Sequence, residues 1–183
     1  MSVYKRILDI NCQFNLTKNY NLKLTLKKDP IKGICVFVVK PIKLNEIIAY
    51  YKLRVFDART YESQTNNIYT FSVFSKNRIS KNLVADITPD SFPLPIKNIP
   101  FWACFVNEPS MHQKINAIFD PNIQENSKKS EKNRIHVGDT VIYNIRAIKD
   151  IEPGTEITTY YGDEYDRDYE IDISEEDKKK CCF

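Results

Sequence analysis

Apolar and polar residues alternate along several short stretches of the chain, which is the period of a β-strand with one buried face. The alternating stretches are residues 22–26, 68–74, 83–87 and 141–148. Two further apolar runs, 32–39 and 41–51, each follow a turn and predict buried strands. Helical periodicity is confined to runs of a few turns at most. The pattern therefore predicts a mainly β protein with few short helices.

Turn and loop sequences separate these strands. Residues 27–30 (Lys-Lys-Asp-Pro) predict the end of the first strand, and Asn45 tolerates the left-handed conformation of a tight turn. Residues 75–78 predict the loop of a hairpin. Four prolines between residues 89 and 100 argue against a regular element there. The charged segment 124–134 has no period and predicts an exposed loop.

The most informative stretch lies between Asn144 and Tyr165. It predicts the end of a strand, a turn at 150–154 closed by Pro153 and Gly154, and a second short strand over 156–161. Neighbouring residues of a strand face opposite sides. One of the two consecutive tyrosines at 160 and 161 can therefore pack while the other faces a cavity. We expect a hairpin-like unit that delivers a phenol to a defined place.

Composition narrows the class of protein. The chain has 183 residues, 42% of them hydrophobic and 12% aromatic, which is typical of one folded domain. Only 4 glycines are present, so a glycine-rich phosphate loop is not expected. The 5 cysteines show no Cys-x-x-Cys spacing and only 2 histidines accompany them, so no zinc site is expected. With no long apolar run and no leader pattern, we expect an intracellular protein of cytoplasm or nucleus, without a membrane contact.

Charge is unevenly distributed along the chain. The net charge is +3, with 27 basic and 24 acidic residues, but residues 163–183 hold 9 of the acidic and 4 of the basic ones. This acidic end is either a solvated tail or a surface that attracts a basic substrate segment. The lysines of 124–134 have no interleaved aromatic residue, so direct binding of nucleic acid is not expected.

Three motifs, in this order along the chain, resemble those of SET-domain methyltransferases. The first resembles K-G-x-G-V-F-A followed by x-I-x-x-G-E-x-I-x-E-Y, and its matching residues are Lys32, Gly33, Val36, Phe37, Ile42, Glu46, Ile48 and Tyr51. The second resembles R-F-I-N-H-S-x-x-P-N in an N-E-P variant, at Phe105, Val106, Asn107, Ser110 and Asn116. The third resembles R-x-I-x-x-G-E-E-L-x-Y-x-Y-G, at Arg146, Ile148, Ile151, Gly154, Glu156, Ile157, Thr158, Tyr161 and Gly162.

The chain departs from these motifs at four positions. Cys35 replaces the second glycine of the first motif, and Asn45 replaces the later turn glycine. Glu108 replaces the histidine of the second motif, and Cys104 replaces its arginine. Cys35 adds a side chain where the family's backbone approaches the cofactor, which puts cofactor affinity in question.

The resemblance implies a SET fold of short β-sheets with a knot-like crossing near the C-terminus. In such a fold the Asn107 and Tyr161 segments are threaded past one another. The implied organisation is an N-terminal extension over 1–20, a SET domain over 21–162 with a variable insert at about 52–100, and an acidic C-terminal tail over 163–183. The apolar run 101–106 would enter the core and leave it abruptly at Asn107.

The same resemblance implies S-adenosyl-L-methionine as cofactor and the N-methylation of protein lysine as activity. Tyr161 and Tyr51 are implied as catalytic residues, and Phe119 and Thr159 as residues of the substrate channel. The implied cofactor-binding residues are Lys32, Gly33, Ile34, Tyr69, Asn107, Glu108 and Tyr161. No metal is required, and the implied partner is a protein with a basic, lysine-containing segment, as in histones.

Two other interpretations remain open. Because of Cys35 and Glu108, the chain could be a SET fold that has lost turnover and binds a peptide or the cofactor. An unrelated β-barrel interaction protein would leave three ordered motifs as a coincidence. Titration with S-adenosylmethionine tests the enzyme interpretation, since absence of binding would remove it.

Overall fold

The computed structural model describes residues 13, 16, 19–62, 69–75, 78–121 and 135–181. Its strands are β1 (Leu24–Asp29), β2 (Gly33–Val38), β3 (Ile47–Asp57), β4 (Phe71–Ser75), β5 (Arg78–Asp86), β6 (Ala117–Asp120) and β7 (Thr140–Ala147). Single 3₁₀ turns lie at Pro89–Ser91 and Ala103–Phe105, and helix α1 spans Glu175–Cys181. The predicted mainly β fold with short helices is confirmed. In the described part of the chain, no helix is both long and apolar enough to cross a membrane.

The strands form two antiparallel sheets. β1 pairs with β2, and the second sheet has the order β4-β5-β3-β7-β6. β3 is central, and its Tyr51 lies opposite Tyr143 of β7. Apolar side chains of both sheets share one core with the run 101–106, every residue of which is buried. The predicted insertion of that run into the core is confirmed.

The end of β1 differs from the prediction. β1 continues through Lys27 and Lys28 to Asp29, where we predicted a break. Both lysine side chains are exposed, so the strand pairing with β2 continues without burying a charge. The Lys27 ammonium lies 4.3 Å from the centre of the Phe37 ring. The turn begins only at Asp29, whose carboxylate accepts the N–H groups of Ile31 and Lys32 at 2.8 Å.

The predicted turns are mostly confirmed. Asn45 has φ 67° and Gly154 has φ 87°, both in the left-handed region. Ser75 pairs with Arg78, which places a hairpin turn between β4 and β5, although residues 76 and 77 lie outside the described residues. The expectation of no regular element after Pro89 was wrong for three residues, because proline is well placed at the start of a helical turn. Ile68 and the predicted loop 124–134 also lie outside the described residues.

The predicted hairpin after β7 was wrong. Residues 156–161 do not pair with β7 but make isolated bridges, Glu156 with Phe37 and Thr158 with Asn107. Ile157 donates its N–H to the Val36 carbonyl at 2.8 Å. This segment therefore runs between β2 and the Asn107 segment, as the knot-like crossing requires.

Candidate functional site

The site lies where the segment 105–110 meets the segment 156–162, which we call the crossing. Thr158 forms a parallel bridge with Asn107, and the Thr159 N–H donates to the Asn107 carbonyl at 3.0 Å. The Asn116 side chain joins the two segments as well, since it donates to the Glu156 carbonyl at 2.7 Å and accepts the Thr158 N–H at 2.9 Å. The crossing thus fixes the backbone that leads directly to Tyr161.

Tyr161 is held at both ends by the other segment of the crossing. Its hydroxyl donates to the Val106 carbonyl at 2.8 Å, and its backbone N–H donates to Glu108 Oε1 at 2.8 Å. The ring of Tyr165 packs edge-on against it, with centroids 4.8 Å apart. Burial raises the pKa of Tyr161 well above its usual range, and repulsion from neighbouring phenols adds to this shift. Tyr161 is therefore a fixed, neutral phenol.

Tyr51 and Phe119 lie together, as the resemblance implied. Tyr51 is 7% exposed, and its ring lies 4.7 Å from Phe71 and 6.0 Å from Phe119. Burial is the main cause that raises the pKa of Tyr51 well above its usual range, and Tyr69 adds to it. Tyr51 and Tyr69 also contribute to the raised pKa of Tyr161. The three phenols therefore lie close enough to influence one another electrostatically, and Tyr69 packs against the core that contains Tyr51.

Asn107 connects the crossing to the start of β2. Its side-chain amide donates to the Ile34 carbonyl at 2.9 Å and to the Cys35 sulfur at 3.3 Å. The predicted segment Lys32–Ile34 therefore lies next to the crossing. Gly33 within it has φ 81°, a left-handed conformation that favours glycine.

Cys35 points into a polar network beneath this segment. Its thiol is buried and lies beside the Glu156 carboxylate, and burial together with Glu156 raises the pKa of Cys35 to about 12. Lys32 neutralises Glu156, with its ammonium 2.9 Å from the carboxylate, and Gln113 donates to the same carboxylate at 3.1 Å. The side chain of Cys35 is thus accommodated inside the fold as a neutral thiol.

A protein-family model for the SET domain matches residues 33–162, which is most of the chain. The chain belongs to the SET-domain family. No curated protein matches this SET domain at a significant level.

Two solved structures are similar to this SET domain. One is a Plasmodium falciparum protein described as a histone methyltransferase, at 17% identity and a TM-score of 0.49, covering 79% of this chain and 96% of that one. The other is the methyltransferase domain of human PR domain-containing protein 2, at 15% identity and a TM-score of 0.44, covering 80% and 82%.

Glu108, which replaces the family's histidine, is only 3% exposed. Arg167 donates to both of its oxygens at 2.7 Å, and Tyr169 donates to Oε2 at 2.9 Å. Together with the Tyr161 N–H, these donors occupy the carboxylate. The Glu108 side chain thus stabilises the crossing, and a cofactor contact at this residue would involve its backbone.

Arg167 was missed by sequence reasoning, which treated residues 163–183 as one acidic tail. The signal present was a single arginine among nine acidic residues, together with two tyrosines spaced by four. An arginine in such a setting is a candidate partner for a buried carboxylate, but its partner is 59 residues away. Only the fold could identify that partner.

Thr159 is only 2% exposed. Within the part of the chain that the structure describes, its hydroxyl oxygen has no hydrogen-bond partner. Buried hydroxyl groups normally have one, so this oxygen marks a place for a polar atom of a ligand or for a water molecule. Among the described residues, no three His, Cys, Asp or Glu side chains are grouped as metal ligands.

Proposed function

We propose that this SET domain is an S-adenosyl-L-methionine-dependent protein-lysine N-methyltransferase. The observation that carries the proposal is that Tyr161, fixed at the crossing by Val106 and Glu108, lies near Tyr51 and the rings that pack against it, Phe71 and Phe119. Family membership supports a methyltransferase, and the aromatic character of this region supports an amine as the methyl acceptor.

The reaction requires a neutral lysine amine. An unperturbed lysine has a pKa of about 10.4, so deprotonation at pH 7 costs about 4–5 kcal/mol. Burial against the rings of Tyr51, Phe71 and Phe119 disfavours the ammonium form and lowers this cost. The nearby carboxylate of Glu108 does not oppose the effect, because Arg167 neutralises it.

The phenol oxygen of Tyr161 accepts a hydrogen bond from the lysine amine and thereby positions it. Its proton is already donated to the Val106 carbonyl, so its remaining lone pair can accept an N–H of the amine. The raised pKa of Tyr161 keeps the phenol neutral, so it orients the nucleophile and does not act as a base. Holding the amine in line with the methyl group supplies much of the rate enhancement.

When bound, S-adenosylmethionine supplies a methyl group on a positively charged sulfur. The residues that would hold it are Lys32–Ile34 and Asn107, with Tyr69 and the backbone of Glu108 beside them. The buried Thr159 hydroxyl, which has no hydrogen-bond partner among the described residues, fits a polar ligand atom bound at the crossing. The Cys35 side chain is buried, and β2 stays paired with β1 from Gly33 to Val38, so the added side chain does not interrupt this strand.

The proposed substrate is a protein with a basic, lysine-containing segment, as in histones, in the cytoplasm or nucleus. Exposed carboxylates of the segment after Gly162 favour such a partner, since Asp163, Glu164 and Asp166 lie next to the site in sequence and are exposed.

Calorimetric titration of the full chain with S-adenosylmethionine tests the proposal, followed by mass spectrometry of a lysine-rich histone peptide. We expect saturable binding and a mass increase of about 14 Da, one CH₂ unit, for each methyl added to the lysine peptide, and none on the matched arginine peptide. Binding without transfer would favour the alternative of a SET-fold binding module, for which the replaced glycine at Cys35 is the supporting observation. Absence of binding up to about millimolar concentration would remove the enzyme from consideration.

Replacing Asn107 with alanine should weaken cofactor binding by about 1–3 kcal/mol, or roughly five- to 150-fold. The substitution removes the donors to the Ile34 carbonyl and the Cys35 sulfur, so the start of β2 loses its link to the crossing. Calorimetry with Asn107→Ala measures the change, and Ser110→Ala, an exposed neighbour, is the control. An unchanged affinity with an intact circular dichroism spectrum would remove Asn107 from the site.

Thr159 should allow more than one methyl to be added to the same lysine. The resemblance places an aromatic residue at this position, and threonine leaves more room beside the amine. Thr159→Tyr should restrict the product to fewer methyls, whereas Thr159→Val should leave the number unchanged. Mass spectrometry of a single-lysine peptide at long reaction times checks this. A purely monomethyl product from the native chain, unchanged in Thr159→Tyr, would contradict it.

A further inference from the structure

The segment just after Gly162 is tied to the crossing by a buried ion pair. Arg167 binds Glu108 through two parallel hydrogen bonds of 2.7 Å, and the side chains of the pair are 13% and 1% exposed. The family match ends at residue 162, so Arg167 comes from outside the matched domain. Arg167 therefore ties this part of the C-terminal segment to the folded domain, although its neighbours Asp163, Glu164 and Asp166 are exposed.

Arg167 also orders the chain around it. Its guanidinium donates to the Gly162 carbonyl at 2.6 Å and to the Tyr165 carbonyl at 2.8 Å. It lies 5.0 Å from the ring centre of Tyr160 and 5.3 Å from that of Tyr165. Bidentate binding of a carboxylate and stacking on aromatic rings are properties that lysine does not share. Residues 160–167 thus fold around one arginine.

Glu108 transmits this order to Tyr161. One oxygen of its carboxylate accepts both Arg167 and the backbone N–H of Tyr161. The other end of Tyr161, its hydroxyl, is fixed by Val106, two residues before Glu108. The position of the phenol therefore depends on the place of the Glu108 carboxylate, which depends on Arg167.

We infer that Glu108 and Arg167 form a latch that positions Tyr161 for methyl transfer and places the Tyr165 ring beside it. The inference rests on the proposed function and deepens it by assigning two positioning residues to the same site. Neither side chain needs to touch cofactor or substrate. Glu108 occupies the position where the family motif has a histidine. Through its ion pair with Arg167, residues 163–167 become part of the active site.

Amide hydrogen exchange of the full chain, measured by NMR, tests the latch directly. Arg167→Met should lower the protection of the Tyr161 amide by about tenfold or more, while the amides of Tyr51 and Tyr143 in the β3–β7 ladder keep theirs. Lys179→Met is the control, because it removes an exposed cation of the same segment. It should leave the protection of all three amides unchanged.

The double variant Glu108→Gln with Arg167→Met separates positioning from direct contact. The glutamine oxygen still accepts the Tyr161 N–H, and no unpaired charge stays buried. In Arg167→Met we expect kcat to fall about tenfold or more, with the KM for a lysine peptide changed less than about threefold. The double variant should recover part of this kcat and part of the Tyr161 amide protection that Arg167→Met loses. Should Arg167→Met not fold, Glu108→Gln alone provides the same comparison.

Two results would overturn the latch. One is an unchanged Tyr161 protection in Arg167→Met, equal to that of Lys179→Met. The other is recovered protection with no recovery of kcat, because Arg167 would then act by contacting a ligand. A native chain with a protected Tyr161 amide that binds no S-adenosylmethionine would instead refute the proposed function and leave the latch in place.

Discussion

Replacing Tyr161 with phenylalanine should lower kcat by about a hundred- to a thousandfold, the loss typical of removing one oriented hydrogen-bonding group from an active site. The variant keeps the ring, and with it the contact with Tyr165, but loses the oxygen that the Val106 carbonyl fixes. Without that oxygen the amine is no longer oriented toward the methyl group. Steady-state kinetics with a lysine peptide at saturating S-adenosylmethionine measures the change.

Tyr50→Phe is the matched control for this prediction. Tyr50 is the neighbour of Tyr51 on β3, is equally buried, and packs against Phe101 on the other side of the strand. Both substitutions remove one phenolic oxygen and keep the aromatic ring. We expect Tyr50→Phe to retain kcat within about threefold. A Tyr161→Phe variant as active as the Tyr50 variant would show that the phenol does not position the amine.

The parts of the fold that depend on local sequence could be predicted. Alternation placed β4, β5 and β7 approximately, because the period of side chains in a half-buried strand is a local property. Asn45 adopts the left-handed conformation that its side chain tolerates. The boundary of β1 could not be read from sequence, since whether Lys27 and Lys28 interrupt a strand depends on which face of the ladder is exposed.

The crossing could not be derived from the pattern of residues. Strand-like residues at 156–161 after a turn predict a hairpin, whose pairing is local and inexpensive in chain entropy. The structure instead pairs this segment with Phe37 and Asn107, distant in sequence. Its apolar residues are buried on all sides there, because Ile157 to Tyr160 lie between other segments. Only the resemblance to the SET family indicated such an arrangement.

The motifs name individual residues of the candidate site. They do not name the residues that hold those site residues in place. Tyr161, Asn107 and Tyr51 were expected, and the structure brings their segments together. Glu108 was expected at the cofactor, yet its carboxylate is occupied by Arg167 and Tyr169. A buried carboxylate needs a partner, but sequence does not say which of 27 basic residues provides it.

The rate should rise steeply with pH. The pH dependence of kcat/KM reports ionisations of the free enzyme and the free substrate. Below the lysine pKa of about 10.4, the neutral fraction of the substrate increases tenfold per pH unit, so kcat/KM should rise about a hundredfold between pH 7 and pH 9. Stopped assays with a lysine peptide, over a series of buffers at constant ionic strength, measure this slope.

The enzyme itself should contribute no falling limb to that profile. Burial raises the pKa values of Tyr161 and Tyr51 well above their usual range, so both phenols stay protonated up to pH 9. The same shifts set the alkaline limit of the fold. The folded state retains these protons when the unfolded state, with a tyrosine pKa of about 10, has lost them, so their stabilisation is complete below pH 10 and is lost as the pH rises further. A loss of rate above pH 10 should therefore coincide with unfolding, as measured by circular dichroism. A fall in kcat/KM between pH 7.5 and pH 9, with the fold intact, would mean that a phenol of the site ionises in this range. The proposed role of that phenol as a neutral hydrogen-bond acceptor would then be wrong.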